Sequence, residues 1–371
     1  MITEAAVALH ADQDAASRYR PQLDGVRAFC IIFTVLNHVP GTPAIINGSV
    51  GVDIFFALSG WLITWLLLQE RKRTGSLDLR SFYIRRIFRI LPLYLVVLAA
   101  YCFVAYVLHL GGPSTSREMD RAFAYLATMN SEYRPDSAGN IYGHAWTLGI
   151  EEKFYLFWPA LMLLAGCNRM VSWALAIGLA ILFAYLAPHF GLVARGYFGL
   201  GFGALLASLV HRNASLQGRL AHLSLGWAIL AALAVAYAAS LRDIYDYRVN
   251  MVVSALGGLL IATIWFNAGQ GVSRFLSIRP LAFLGRLTYA LYLIHVLAVN
   301  VVIAGLQKLG VSLHWSAIFA ITYAVAIVGA IVLHEILEKP MITAGRRIVS
   351  RRRAAGKDLV LSNGLISPEQ S

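Results

Sequence analysis

The chain has 371 residues, 58% of them hydrophobic and only 13% charged, with a formal net charge of +12. A soluble domain carries roughly 25% charged residues, so this composition excludes an ordinary soluble fold and points to a polytopic, all-α integral membrane protein. The three cysteines lie in or beside apolar runs with no CxxC spacing, and no histidines fall at the HExxH spacing, so neither a disulfide framework nor a metal site is expected.

In chain order, residues 1–22 are polar and lack the apolar core of a cleavable signal peptide, so the first span is expected to direct insertion. Ten apolar segments follow, at 24–39, 50–69, 87–110, 148–166, 171–188, 192–211, 222–240, 249–267, 284–306 and 315–337. With the N-terminus inside, 23 of the 31 Lys and Arg residues fall on inner segments and 8 on outer ones. That bias reads as about ten transmembrane helices with both termini cytoplasmic. It also accounts for the basic charge without a nucleic-acid partner. The expected organisation is a cytoplasmic segment 1–22, a transmembrane domain 23–342 and a basic, disordered cytoplasmic tail 343–371. No pair of matching Gly/Pro-broken spans is present, which argues against a transporter or a scaffold without chemistry.

The first span reads LDGVRAFCIIFTVLNH from Leu23 to His38. Arg27 and His38 are eleven residues apart, about 20° on a helical wheel and about 16 Å along the axis. An imidazole at the outer end of a span can act as a general base. The plainer reading is an interfacial arginine and a capping histidine. In the second span, Asp53 lies near the outer end, and Ser59 precedes Gly60 in a context that suits close helix packing better than a nucleophile. Arg86 and Arg89 share a face before the third span and could grip a phosphate with forked hydrogen bonds, although arginines flanking spans are common. The fourth span opens His144-Ala145-Trp146, and its Glu151, Phe154, Tyr155 and Trp158 recur at helical spacing, which sets one carboxylate on an aromatic face. Glu152 and Lys153 are expected to point to the headgroups. The ninth span carries Tyr289 and Tyr292 on one face and His295 three residues on; a histidine so deep is more often structural than catalytic.

Together and in this order these stretches resemble the membrane acyltransferase-3 family. Its first-span basic residue and histidine are matched by Arg27 and His38, its FFxxSGxLI pattern by Phe55–Ile63, and its RxxR pattern by Arg86–Arg89. Its WSLxxExxFYLxxP pattern is matched by Trp146–Pro159 and its LGxxSYxxYLxH pattern by Leu284–His295, with Thr147 and Thr288 in place of serine. The close, His334-Glu335-Ile336-Leu337-Glu338-Lys339-Pro340, is similar to the family's tenth-span ending.

The resemblance implies an O-acyltransferase of the bacterial cytoplasmic membrane. An acyl-CoA donor, commonly acetyl-CoA, would enter from inside, and the acceptor would be a hydroxyl of a carbohydrate or glycolipid outside, with no metal. A lipid-linked intermediate or a small secondary metabolite is the alternative acceptor, and a homo-oligomer is left open. In this reading His38 is the base, or the carrier of an acyl group, and Glu151 orients it. Arg27, Arg86 and Arg89 hold the donor. Asp53, Ser59, His144, Trp146, Tyr155, Tyr289, Tyr292 and His295 support the substrates or the structure.

Overall fold

A computed structural model describes residues 19–109, 113–164, 166, 169–243, 246–267 and 271–364. Cys167, most of the 1–22 segment and the last seven residues of the tail lie outside the described residues. The regular structure of the described residues is helical, with no strand among them. In chain order the helices are α1 (Pro21–Leu36), α2 (Ser49–Thr74), α3 (Leu79–Tyr106), α4 (Pro113–Ala127), α5 (Trp146–Leu164), α6 (Arg169–Tyr185), α7 (Phe190–His211) and α8 (Ala214–Leu220). They continue with α9 (Leu223–Ser240), α10 (Tyr247–Phe266), α11 (Gly271–Leu276), α12 (Arg279–Arg286), α13 (Thr288–Lys308), α14 (Trp315–Leu333) and α15 (Lys339–Gly364).

Six helices are long and apolar enough to cross a membrane, or seven if the bent α8–α9 pair counts as one span. The chain is therefore a multi-pass membrane protein. The other segments expected to span are helical but fall short on length or charge. Helix α1 has 16 residues and α6 has 17, while α5 carries Glu151, Glu152 and Lys153 in its first half. Large side chains such as Leu95, Phe103, Leu156, Val301 and Val328 are exposed, as expected where the surrounding solvent is hydrocarbon.

The chain divides into two compact units. The first is Met1–Asn37, Thr42–Leu62 and Phe198–Thr288; the second is His38–Gly41, Ile63–Tyr197 and Tyr289–Ser371. In the first unit, α1 starts at Pro21, whose missing N–H costs nothing in a first turn, and Asp24 there complements the helix dipole. Its packing on α12 is backbone against backbone, since any Cβ at Gly285 would collide with the carbonyl of Asp24. The α2 and α7 helices meet in the same way, Gly60 lying against the carbonyl of Leu200. Helix α1 ends at Leu36, two residues short of His38, so the helical stripe drawn from Arg27 to His38 stops before the histidine. Pro40 cannot continue a helix and biases the residue before it toward extended backbone. The Thr42 hydroxyl takes the carbonyl of Leu36 (2.9 Å), and the Asn37 side chain accepts from the Gly48 amide (3.1 Å).

In the second unit, α3 is capped by Asp78, whose carboxylate accepts from the Ser81 amide (3.0 Å). Pro92 interrupts its ladder of N–H donors. Between α4 and α5 the chain makes three short 3₁₀ turns, Ser131–Tyr133, Asp136–Ala138 and Gly143–Ala145. Arg134 ties them to the carbonyl of Ile141 (2.7 Å), and Arg121 to that of Ser137 (2.9 Å). Helix α14 runs through one π turn, His334–Glu338, into α15. The tail expected to be disordered is thus helical to Gly364. Ion pairs anchor it: Arg352 to Asp78 (3.0 Å) and Arg353 to Glu70 (3.0 Å). Sequence composition gave no sign of them because the partners lie about 270–280 residues away in the chain.

Candidate active site

His38 begins the second unit, in the turn that Pro40 enforces after α1. Two more histidines converge on it there. The His295 ring lies 4.8 Å from it and the His144 ring 6.3 Å, centroid to centroid, and these two are 4.5 Å from each other. His295 is fully buried in α13 and His144 nearly so in the 3₁₀ turn before α5. His38 is half-buried, which leaves it the most accessible of the three. Helical spacing could not reveal this triplet, because its members come from a turn, a 3₁₀ turn and a distant span.

The hydrogen bonds fix the tautomers. His144 Nε2 faces the Leu293 carbonyl (3.4 Å) and His295 Nδ1 the Tyr292 carbonyl (2.7 Å). A carbonyl only accepts, so both nitrogens carry the proton in the neutral rings. Burial, reinforced by the neighbouring His38, pushes the pKa of His144 down to about 3, so its ring is neutral at pH 7. The opposite nitrogens, His144 Nδ1 and His295 Nε2, are buried without a hydrogen-bond partner among the described residues.

A lane of hydrogen bonds, ring contacts and electrostatic interactions leads away from this triplet. The Tyr292 hydroxyl donates to the His144 carbonyl (2.6 Å) and lies 2.6 Å from the Thr147 hydroxyl. Glu151, one turn further along α5, acts electrostatically on Tyr292 and accepts from the Tyr155 hydroxyl (3.1 Å). The Arg86 guanidinium lies over the Tyr155 ring at 4.6 Å from its centroid. One turn along α3, exposed Arg89 acts on Tyr289, whose hydroxyl donates to the Ile90 carbonyl (2.8 Å). Glu151 thus bridges the arginine end and the histidine end of the lane.

The other residues singled out by sequence are placed as follows. Trp146 lies under the buried Arg195 guanidinium at 5.5 Å. Arg27 belongs to the first unit, where it pairs with Asp24 (2.6 Å). So does Asp53, fully buried, with its carbonyl accepting from Ser254 (3.3 Å). Ser59 is half-buried beside the Gly60 contact.

Lys153 does not reach for headgroups. Lys153 bonds the buried Glu132 carboxylate, stacks over Tyr133 (4.9 Å) and so pins the loop before α5 onto α5 itself. Burial raises the pKa of Glu132 although Lys153 opposes it. Glu152 faces Arg86 electrostatically. Sequence reasoning gave no role to Glu338, buried in the π turn with His334 Nδ1 2.8 Å away, or to Tyr142. For Glu338 the signal was available as a His and a Glu at i and i+4 closing a span.

The acyltransferase-3 model, described as an acyltransferase domain, matches residues 20–335. The chain belongs to the acyltransferase-3 family. Among relatives of this family, YrhL of Bacillus subtilis, whose name assigns it provisionally as a peptidoglycan O-acetyltransferase, is 31% identical over 369 residues, 90% of this chain and 57% of its own. The O-acetyltransferase OatA of Staphylococcus aureus is 29% identical over 309 residues, 75% of this chain and 50% of its own. The peptidoglycan O-acetyltransferase OatA of Listeria monocytogenes is 28% identical over 314 residues, 75% and 49%. The chain spans about half the length of these curated relatives. No solved structure matches it significantly.

Proposed function

We propose that the chain moves an acetyl group from cytoplasmic acetyl-CoA to a hydroxyl of an exported cell-surface carbohydrate, peptidoglycan being the acceptor class that its relatives' names suggest. The observation that carries this reading is the lane from Arg86 to His38. It joins a guanidinium suited to phosphate to imidazoles suited to proton transfer. In this reading ten helices span the cytoplasmic membrane with both termini inside. The donor's phosphates sit at Arg86 and Arg89, its pantetheine arm follows Tyr155, Glu151 and Tyr292, and its thioester reaches His38.

The acceptor hydroxyl gives its proton to His38 as its oxygen attacks the thioester carbon. Glu151 holds the lane in register through Tyr155. The residues suit the donor: Arg86 lies over two aromatic rings, Phe82 at 5.7 Å and Tyr155 at 4.6 Å, and a guanidinium over rings can still bond an anion through its N–H groups. The test is purified full-length protein with [14C]acetyl-CoA and a chitooligosaccharide acceptor, beside mass spectrometry of envelope glycans from a deletion strain. Labelled O-acetyl ester and loss of that ester in the deletion strain are expected. Acetyl-CoA left intact, with unchanged envelope glycans, overturns the reading.

A further inference from the structure

Tyr142 is placed against its own backbone preference. It adopts the left-handed conformation (φ 51°, ψ 35°), which L side chains rarely take. The loop holds it there with its ring 1% exposed, stacked at 4.4 Å on Tyr101 and edge-on to His144 at 4.9 Å. Its hydroxyl is buried and has no hydrogen-bond partner among the described residues. The two bare imidazole nitrogens of the histidine triplet, His144 Nδ1 and His295 Nε2, belong to the same cluster of touching rings. Unpaired polar atoms at depth in a membrane protein are costly and rarely left so without a ligand. Their chemistry describes that ligand. Two lone pairs require a molecule that brings O–H donors, and a phenol O–H requires one that brings an acceptor oxygen. A sugar hydroxyl beside a thioester carbonyl supplies both.

We propose that the Tyr142 hydroxyl is a catalytic hydrogen-bond donor to the carbonyl oxygen of the transferring acetyl group, while His144 Nδ1 and His295 Nε2 receive hydroxyls of the acceptor. The inference rests on the acyl transfer proposed above. The acceptor oxygen adds to the thioester carbon, its proton passes to His38, and the carbonyl electron pair moves onto oxygen, where the Tyr142 O–H bonds it. Collapse re-forms the C=O bond and breaks the C–S bond. The CoA sulfur leaves as the thiolate and takes the proton from His38. Burial holds the Tyr142 phenol well above its ordinary pKa, so it stays a donor throughout.

The test compares two tyrosines that stack on each other. Tyr94 lies 5.8 Å from Tyr142, but its hydroxyl is satisfied by the Leu126 carbonyl (2.7 Å). Tyr142→Phe keeps the stack and removes an unpaired group. It should lower kcat for acetyl transfer about 100- to 1000-fold, with KM for acetyl-CoA within about twofold and a thermal midpoint equal to or above wild type. Tyr94→Phe should do the reverse, lowering the midpoint and leaving kcat unchanged. A Tyr142→Phe protein with wild-type kcat, or one whose activity falls only in step with its folded fraction, overturns the inference. Should the Phe variant not fold, 3-fluorotyrosine at 142 makes the donor more acidic and should change kcat by about twofold or more; an identical kcat then overturns it. Wild-type protein that never transfers acetyl removes the proposed function itself, whereas active wild type beside an equally active Tyr142→Phe removes only this inference.

Discussion

Two polar regions of the second unit make an instructive contrast. Where α15 docks on α3, a cluster of opposite charges meets. Arg352 and Arg353 meet Asp78, Arg353 and Arg85 meet Glu70, and the Ser81 hydroxyl closes the set. The groups are partly exposed and each of them has a partner. Around His144 and His295 the burial is nearly complete, yet one nitrogen of each ring has no partner among the described residues. A saturated network has used its interaction energy on the fold; an unsaturated one, in a far more costly environment, keeps it for something else. In a membrane protein, where polar groups at depth are expensive everywhere, unmet hydrogen-bonding capacity marks function better than polarity does.

The strongest way to break this contrast is at His38. His38→Ala should lower acetyl transfer by about 10³-fold or more, since a positioned general base contributes roughly 10²–10⁴-fold. The thermal midpoint should stay within a degree or two of wild type, because the side chain is only half-buried. A wild-type rate in that variant would return His38 to the role of a helix-end residue. Glu151→Gln comes next. It keeps the Tyr155 bond but removes the charge acting on Tyr292, and about a 10–100-fold fall in kcat is expected. If kcat holds and only KM for acetyl-CoA rises, Glu151 takes the donor-holding role proposed for Arg86 and Arg89 instead.

How much of this was legible beforehand follows from the range of the interactions. Membrane class, helical content and the family could be read from runs and motifs, because each is local: Phe55–Ile63 or Trp146–Pro159 carries its pattern within one turn or a few. His38, Glu151 and Tyr292 could be singled out, but not the interactions that link their surroundings. His144 joins them only because its 3₁₀ turn is folded against Leu293, 149 residues away. The stripe from Arg27 failed at its last two residues because Pro40 overrides the helical period there. Lys153 was misdirected for a related reason. A charged side chain early in a span is expected to reach for headgroups, and nothing near it in sequence announces the buried Glu132 that captures it.

The histidine region should also show itself in stability against pH. The folded pKa of His144 is pushed down to about 3 by burial and by His38, against an ordinary 6.5. The folded state therefore refuses a proton that the unfolded state binds. The stability that neutral His144 permits is fully present above pH 6.5 and is lost as pH falls from 6.5 toward 3, at no more than about 1.4 kcal/mol per pH unit. Chemical denaturation in detergent micelles at pH 7 and pH 5 measures it. His144→Gln should flatten the slope; an unchanged slope would place the acid sensitivity elsewhere.

The smallest effect belongs to the saturated region, and its smallness is the point. Arg353→Ala removes contacts to Glu70 and Asp78 whose partners are 12% and 28% exposed, with Arg353 itself at 42%. Exposed pairs of this kind contribute about 0–1 kcal/mol and fade with salt. Burial pushes the Asp78 carboxyl up, but the Ser81 hydroxyl and amide and Arg352 outweigh it and hold it below the usual carboxylate range. Its share of stability is thus present above about pH 4 and lost as pH falls below that, a window separate from that of His144. Arg353→Ala should therefore lower stability slightly at low salt, not at all in about 0.5 M salt, and leave kcat and KM for acetyl-CoA unchanged. A clear rise in KM without loss of stability would instead show that the α15 network takes part in holding the donor, and the division between saturated scaffold and unsaturated site would have to be redrawn at that end of the unit.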